Sequence, residues 1–446
     1  MWQLLNTFKT QLPKSTNNAY KALQTQKLLH ATRACSTPGG GRLDTPGTKT
    51  RIFSLANKRE LHVNEFPDFT KKRQEVSPFR WGIAPVSLMA NDFATALSVL
   101  PPQNHKIMSC VAPHRSQALA FAKKYDVRNV YTNYEDLARC TDVDAVYISP
   151  LNPLHCELCN LMLNHDKHVL CEKPLCMAEH QVENLLQKAR ERNLFLMEGM
   201  WPRCVPAYHY LRRQIMRNCF GRVHSVDCTL GLVVPSNKLA LYGGVTNDFA
   251  VYGIQLALWV FRAIPLRIKT SGRLNEEDID VMANIELTFS DDRKARILVS
   301  AENKLSNEAI IVGTKGSIKL RNYWCPTRML DSNNTEYEFP LPETQTSTHY
   351  HNRIGICYEA EEVRNCVLSE RIESELFSHK ESLLLANITD TIHELLGVGR
   401  ETPFETEFDE ELALAEKSGS SLTVATKSNL SMGRAQKVIN RVLGLN

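Results

Sequence analysis

Trp81-Gly82-Ile83-Ala84-Pro85-Val86-Ser87-Leu88-Met89-Ala90 runs from a short apolar segment through a proline-containing turn into a helical pattern. The same rhythm then repeats. Apolar runs at 81–86, 106–111, 145–149, 168–171 and 194–197 alternate with amphipathic stretches, and each run has the length of a buried parallel strand. The clearest helix sets Val182, Leu185, Leu186 and Ala189 on one face, with charges opposite. Strict alternation predicts an α/β fold built on a Rossmann-type doubly wound parallel sheet, with its ligand crevice at the carboxyl ends of the strands.

Beyond residue 202 the segments become longer and β-rich (223–232, 267–271, 281–289, 295–300, 309–313 and 317–320), which predicts a mainly antiparallel sheet. One helix interrupts it near 247–261, and two close the domain near 358–368 and 381–396. The expected division is an extension over 1–76, a dinucleotide-binding domain over 77–201, an α+β substrate and dimerisation domain over 202–400, and a tail over 401–446.

The chain has 446 residues, 43% hydrophobic and 23% charged, an ordinary globular composition. No window approaches the roughly 18 apolar residues of a membrane helix, so it is not expected to be transmembrane. A net charge of +4 gives little support to nucleic-acid binding. Residues 1–43 carry six Lys or Arg and no acid, which suits either a mitochondrial presequence or a basic tail on a cytoplasmic protein. The 13 cysteines are scattered as in a reducing compartment. Cys156 and Cys159 have CxxC spacing, read as packed helix cysteines rather than a redox or metal pair.

A dinucleotide pyrophosphate needs bare backbone N–H groups at a helix N-terminus. Placed on GxGxxG/A, the first glycine of this turn becomes Pro85 and the second Ser87, with Ala90 acceptable at the third. Proline removes a donor and fixes φ. On its own the turn is a failed fingerprint.

Two other constellations point to chemistry. Glu172-Lys173-Pro174 closes a buried strand at the ligand-binding edge. Further on, Gly243-Gly244 precedes a helix on which Asp248, Tyr252, Gln255 and Trp259 share one stripe, a plausible pocket wall. Alcohol oxidation needs a base for the hydroxyl proton, and a tyrosine of pKa near 10 is a weak one. A lysine ammonium within about 4 Å is worth roughly 4 kcal/mol and lowers that pKa by up to about three units. Lys173 is the candidate partner for Tyr252.

Cys171-Glu172-Lys173-Pro174, Met197-Glu198-Gly199-Met200-Trp201-Pro202-Arg203, Gly243-Gly244 with Asp248 and Tyr252, and Trp324-Cys325-Pro326-Thr327 occur in order. Together they resemble the glucose-fructose oxidoreductase and inositol dehydrogenase superfamily, and within it the NADP-dependent oxidisers of trans-dihydrodiols and D-xylose. The likeness runs from about Arg80 to Gly397. It implies Lys173, Tyr252 and Asp248 as catalytic residues, with Tyr252 the acid/base and Trp201 and Asp248 beside the substrate. On the cofactor side it implies Pro85, Ser87, Asn152, His155, Glu172 and Lys173. Pro113 stands where an NADP-type member carries arginine, leaving Arg115 as the candidate for a 2′-phosphate. The implied cofactor is NADP, with NAD open. The implied substrate is a diol, sugar or dicarbonyl, and the implied assembly is a homodimer on an open sheet face. The altered phosphate loop leaves a non-catalytic paralogue as the alternative.

Overall fold

The computed structural model describes residues 77–398, so the expectations for 1–76 and 401–446 lie outside the described residues. Six parallel strands come first: β1 (Phe79–Ala84), β2 (His105–Val111), β3 (Asn129–Tyr131), β4 (Ala145–Ile148), β5 (His168–Glu172) and β6 (Leu196–Gly199). Helices α1 (Leu88–Leu97), α2 (Arg115–Tyr125), α3 (Tyr134–Ala138), α4 (His155–Asn164) and α5 (Glu179–Glu191) connect them. The order β3-β2-β1-β4-β5-β6 reverses between β1 and β4, and this switch point opens the crevice.

The sheet forms because its central strands are apolar on both faces. Trp81, Ile83, Val146, Tyr147, Ile148, Val169, Leu170 and Cys171 are all fully buried, and Phe93 of α1 stacks on Tyr147 at 4.0 Å. Edge strand β3 was not among the sequence expectations. It has three half-buried residues and no apolar run.

The second sheet has the order β14-β13-β12-β11-β7-β10-β9-β8. Its strands are β7 (Val223–Gly231), β8 (Arg267–Leu274), β9 (Asp280–Thr288), β10 (Lys294–Ser300), β11 (Glu308–Gly313), β12 (Gly316–Arg321), β13 (Arg328–Asp331) and β14 (Glu336–Glu338). All pairs are antiparallel except β7 with β10. Alternating residues such as Ile285, Leu287, Ile297 and Val299 are buried, as one covered face requires.

Two helices precede the main one of this half. They are α6 (Pro206–Met216), which the sequence reading did not anticipate and whose proline sits acceptably in the first turn, and the short α7 (Ser236–Ala240). Helix α8 (Val251–Phe261) is buried throughout and crosses β10 closely; a Cβ on Gly253 would lie 2.8 Å from Ile297 Cγ2. The expected helix start at 247 is instead a π-turn, Thr246–Ala250. Helices α9 (Ile356–Leu368) and α10 (His379–Leu396) complete the fold, α10 opening on a capping box from Ser378 and Glu381.

Arg203 holds α8 and α10 to the turn after β6. Its fully buried guanidinium donates to Gln255 Oε1 (2.6 Å), Gln255 O (2.9 Å), Leu376 O (3.1 Å) and Glu381 Oε1 (3.0 Å). It also lies 4.6 Å from the Trp259 ring centroid. Removing it strands a buried carboxylate and amide, so Arg203→Ala should lower the unfolding free energy by about 3–5 kcal/mol. Urea denaturation measures this, and a loss below about 1 kcal/mol would contradict the assignment.

Candidate active site

At the carboxyl edge of β5, next to the switch point, Glu172 and Lys173 turn to different partners. Glu172 is buried and accepts hydrogen bonds from Tyr147 Oη (2.5 Å) and from Arg353. Burial is the largest single influence and pushes its pKa up, but the Arg353 guanidinium, the Tyr147 hydroxyl and the Lys173 charge together outweigh it and hold the carboxyl below its usual range. Arg353 also faces the Trp201 ring at 5.0 Å. Its segment is anchored to α1, where the Asp92 carboxylate accepts the N–H groups of His349 (2.6 Å) and Tyr350 (3.0 Å). Nothing local in the sequence singled out Arg353, which lies 181 positions from Glu172.

Lys173 reaches into the second domain. Its Nζ donates to Asp248 Oδ1 (2.5 Å) and to Asp248 O (3.0 Å). Burial is the largest influence and opposes the ammonium, yet Asp248, with help from Tyr252 and Glu172, outweighs it and raises the lysine pKa. Asp248 sits mid-way through the π-turn, a local widening that recurs at functional sites. Gly243 and Gly244 lead in at φ +72° and +82°, and a Cβ on Gly244 would fall 1.6 Å from Asp280 Oδ1. The same Asp280 accepts the Thr246 N–H (2.7 Å) and hydroxyl (2.6 Å), which fixes the turn.

One turn beyond Asp248, Tyr252 presents its ring to Lys173, whose Nζ is 5.3 Å from the centroid. Trp201 Nε1 donates to the Tyr252 hydroxyl at 3.4 Å. Lys173, Asp248, Trp201 and Tyr252 therefore converge at the crevice. The expected lowering of the phenol pKa is corrected. Burial is the largest influence and pushes it up, while Lys173 and Arg353 offset this only in part, so Tyr252 is a protonated phenol at neutral pH. The Lys173 ammonium that lowers the phenol pKa is itself engaged by Asp248.

The four-residue stripe is also corrected. Gln255 is fully buried on Arg203 and on Tyr208 Oη (3.0 Å), and Trp259 stacks on Arg203, so both brace the fold and do not line the crevice.

On the cofactor side, Ser87 caps α1, its Oγ accepting the Ala90 N–H at 3.0 Å and lying 3.2 Å from Ser149 Oγ across the switch point. The Val86 N–H goes to Val111 O (2.8 Å), and Pro85 has none. Leu88 and Met89, the first two residues of α1, carry N–H groups that the helix itself does not use, which is where a helix start holds an anion. Arg115 is exposed on the first turn of α2, at the carboxyl end of β2. Asn152 donates to Tyr242 O (2.8 Å). Buried His155 donates from Nδ1 to Pro174 O (2.7 Å), and burial lowers its pKa, so it is neutral. This set fits a dinucleotide with fewer phosphate donors than a glycine loop supplies.

Residues 79–200 match the oxidoreductase family with an NAD-binding Rossmann fold, and residues 208–319 match the GFO/IDH/MocA C-terminal domain. The trans-1,2-dihydrobenzene-1,2-diol dehydrogenase of Danio rerio is 38% identical over 325 residues, covering 72% of this chain and 97% of the relative. The Homo sapiens protein of that name is 34% identical over the same shares. The fold is also that of an aldose-aldose oxidoreductase from Caulobacter crescentus (TM-score 0.62, 17% identity, 72% of this chain and 98% of that one). A 3-ketoreductase from Actinomadura kijaniata, solved with NADP, shares it at a TM-score of 0.60 and 22% identity, with the same coverage.

Burial raises the Asp280 carboxyl to about 6 despite the Thr246 hydrogen bonds. A carboxyl that holds its proton more firmly folded than unfolded stabilises most in acid, and that contribution is lost as pH rises through about 6. The stability of the wild type relative to Asp280→Asn should therefore fall by roughly 2–3 kcal/mol between about pH 4 and about pH 8. Paired denaturation curves measure it. A difference independent of pH would mean that Asp280 stays ionised on Thr246.

Proposed function

The chain belongs to the GFO/IDH/MocA family of NAD-binding oxidoreductases, and on that premise we propose that it is an NADP-dependent dehydrogenase of vicinal diols or aldoses. Its substrates would be trans-dihydrodiols or D-xylose-like sugars, with dicarbonyl reduction as the reverse reaction. The observation that carries this reading is the meeting of Lys173, Asp248, Trp201 and Tyr252 at the switch-point crevice. The reading keeps the dinucleotide domain at 77–201 and the substrate and dimerisation domain at 202–400. Assembly as a homodimer and a mitochondrial or cytoplasmic address are parts of the same proposal. No helix among the described residues is long and apolar enough to cross a membrane.

When bound, the dinucleotide gives or takes a hydride at its nicotinamide ring. Protonated Tyr252 is poised as the acid that delivers a proton to a carbonyl oxygen during reduction. In diol oxidation the same oxygen receives the hydroxyl proton, and Lys173, Arg353 and the Trp201 N–H lower the cost of the phenolate. Asp248, held by Lys173 through Oδ1, offers its other oxygen to a substrate hydroxyl. Oxidation should accordingly gain rate toward alkaline pH. Arg115 and the first-turn N–H groups of Leu88 and Met89 would hold the phosphates.

Tyr252→Phe should reduce kcat by about 10²–10⁴ while NADPH affinity, read by fluorescence quenching, changes by less than about threefold. Unaltered turnover of pentoses, dihydrodiols and dicarbonyls would remove Tyr252 from the chemistry. If the folded wild type neither turns over nor binds a dinucleotide, the non-catalytic alternative replaces this reading. Separately, Arg115→Ala should weaken NADPH by at least about tenfold more than NADH, and equal effects on both would end its 2′-phosphate role.

A further inference from the structure

Among the described residues, the second sheet ends on an unpaired edge, because β8 pairs with β9 alone. Such an edge presents a row of backbone N–H and C=O groups that a further strand can take up. The side chains of β8 alternate in kind. Arg267, Lys269 and Ser271 are exposed on one face, while Ile268 and Thr270, on the other, are half-buried. Leu266 extends the second row, its N–H donating to Thr288 O (2.7 Å), and is 74% exposed. Arg273 pairs with Glu302, but Arg267 and Lys269 have no ion pair among the described residues.

The chain comes back to this edge as it leaves the described residues. Helix α10 ends on β8, where a Cβ on Gly272 would lie 2.9 Å from Leu396 Cδ2, and Leu395 beside it is 55% exposed. The sequence that follows Val398 is acidic. Glu401, Glu405, Glu407, Asp409, Glu410 and Glu411 fall within 401–411, a stretch without Lys or Arg. Inside it Phe404, Thr406 and Phe408 alternate with Glu405, Glu407 and Asp409, the period of a strand with one apolar and one charged face.

We propose that residues 404–409 of this chain's own C-terminal segment add to the second sheet as a ninth strand, antiparallel to β8. One register satisfies both rows of side chains. Setting Phe408 against Leu266 also sets Glu407 against Arg267, Thr406 against Ile268, Glu405 against Lys269 and Phe404 against Thr270. The acidic row then meets the basic row as opposite-charge cross-strand pairs, and the two phenylalanines cover the apolar row that β8 leaves exposed. Reach is sufficient, since residues 399–403 extend to about 16 Å at about 3.3 Å each and have only to pass from the end of α10 to the edge beside Thr270. Pro403, which has no N–H to give, falls just before the strand.

Basic side chains on an edge strand ordinarily deter another chain from pairing with it. Here the guard selects by charge. A neutral or basic edge is turned away, whereas an acidic strand tethered to the same chain is attracted and arrives at a high effective concentration. None of these residues belongs to the Lys173, Asp248 and Tyr252 site, so the strand pairing is independent of the function proposed above.

Hydrogen–deuterium exchange of the full-length protein, read by peptide mass, tests the pairing. Amides of 404–409 should exchange at least about tenfold more slowly than the free-chain rate for the same sequence. Phe404→Ser with Phe408→Ser should release them and the outward amides of β8 together, by at least about tenfold, while peptides of β10 report an unchanged fold. Arg267→Glu with Lys269→Glu should have the same effect, and adding Glu405→Lys with Glu407→Lys to that variant should restore protection. Free-chain exchange of 404–409 in the wild type overturns the proposal. Protection that survives both paired variants does so too, because the segment is then held elsewhere. A charge swap that restores nothing overturns the register. Protection that disappears on about hundredfold dilution overturns pairing within one chain and gives the edge to a second copy.

Discussion

The ion pair between Lys173 and Asp248 fixes the geometry on which the rest of the site depends. It joins the residue after a parallel strand to a turn of the other domain, with the ammonium buried and the Asp248 side chain about one-fifth exposed. A buried ammonium is tolerated only where a partner replaces its water, so the pair dictates how the crevice walls must meet. The backbone carbonyl of Asp248 takes a second lysine proton, which sets the orientation of the ammonium as well as its position. Tyr252, one turn on, is then presented to Lys173 by helix geometry alone.

Around that pair the junction is built from further buried charges, each with a dedicated partner. Glu172 meets Arg353, and Arg203 meets Glu381. His105 joins Trp81 Nε1 to Glu361, with Trp81 donating to Nδ1 and the Nε2 proton donated to the carboxylate. The exception is Glu359, whose two carboxyl oxygens find no hydrogen bond among the described residues. Burial, with the nearby Glu172 charge, raises its pKa well above normal and keeps it a neutral acid. The Tyr252 surroundings thus combine low polarity with two compensated cations, which accounts for a phenol that favours its proton until substrate and cofactor arrive.

Much of this was legible beforehand because it is local. Five of the six strands of the first sheet stand out as apolar runs, whereas β3, β13 and β14 are short and partly polar at or next to a sheet edge, so no period betrays them. Helix α6 escaped because its proline and its many arginine, histidine and tyrosine residues mask the buried Ala207, Tyr208 and Leu211. Periodicity set Asp248, Tyr252, Gln255 and Trp259 on one stripe but could not say which neighbour each would meet. Asp248 and Tyr252 face Lys173, and the other two face Arg203. Arg353 and Asp280 were invisible because their roles are purely long-range, and the burial that overrides Lys173 at Tyr252 is a tertiary quantity.

The claim that Lys173 and Asp248 act as one unit is tested most directly by a double-mutant cycle of unfolding free energies over Lys173→Met, Asp248→Asn and the double variant. A partly buried pair joined by a charged side-chain hydrogen bond should give a coupling of about 1–3 kcal/mol, with the double variant more stable than the sum of the single losses allows. A coupling within about 0.5 kcal/mol of zero would contradict the account, since it would mean that each residue is stabilised by something other than its partner.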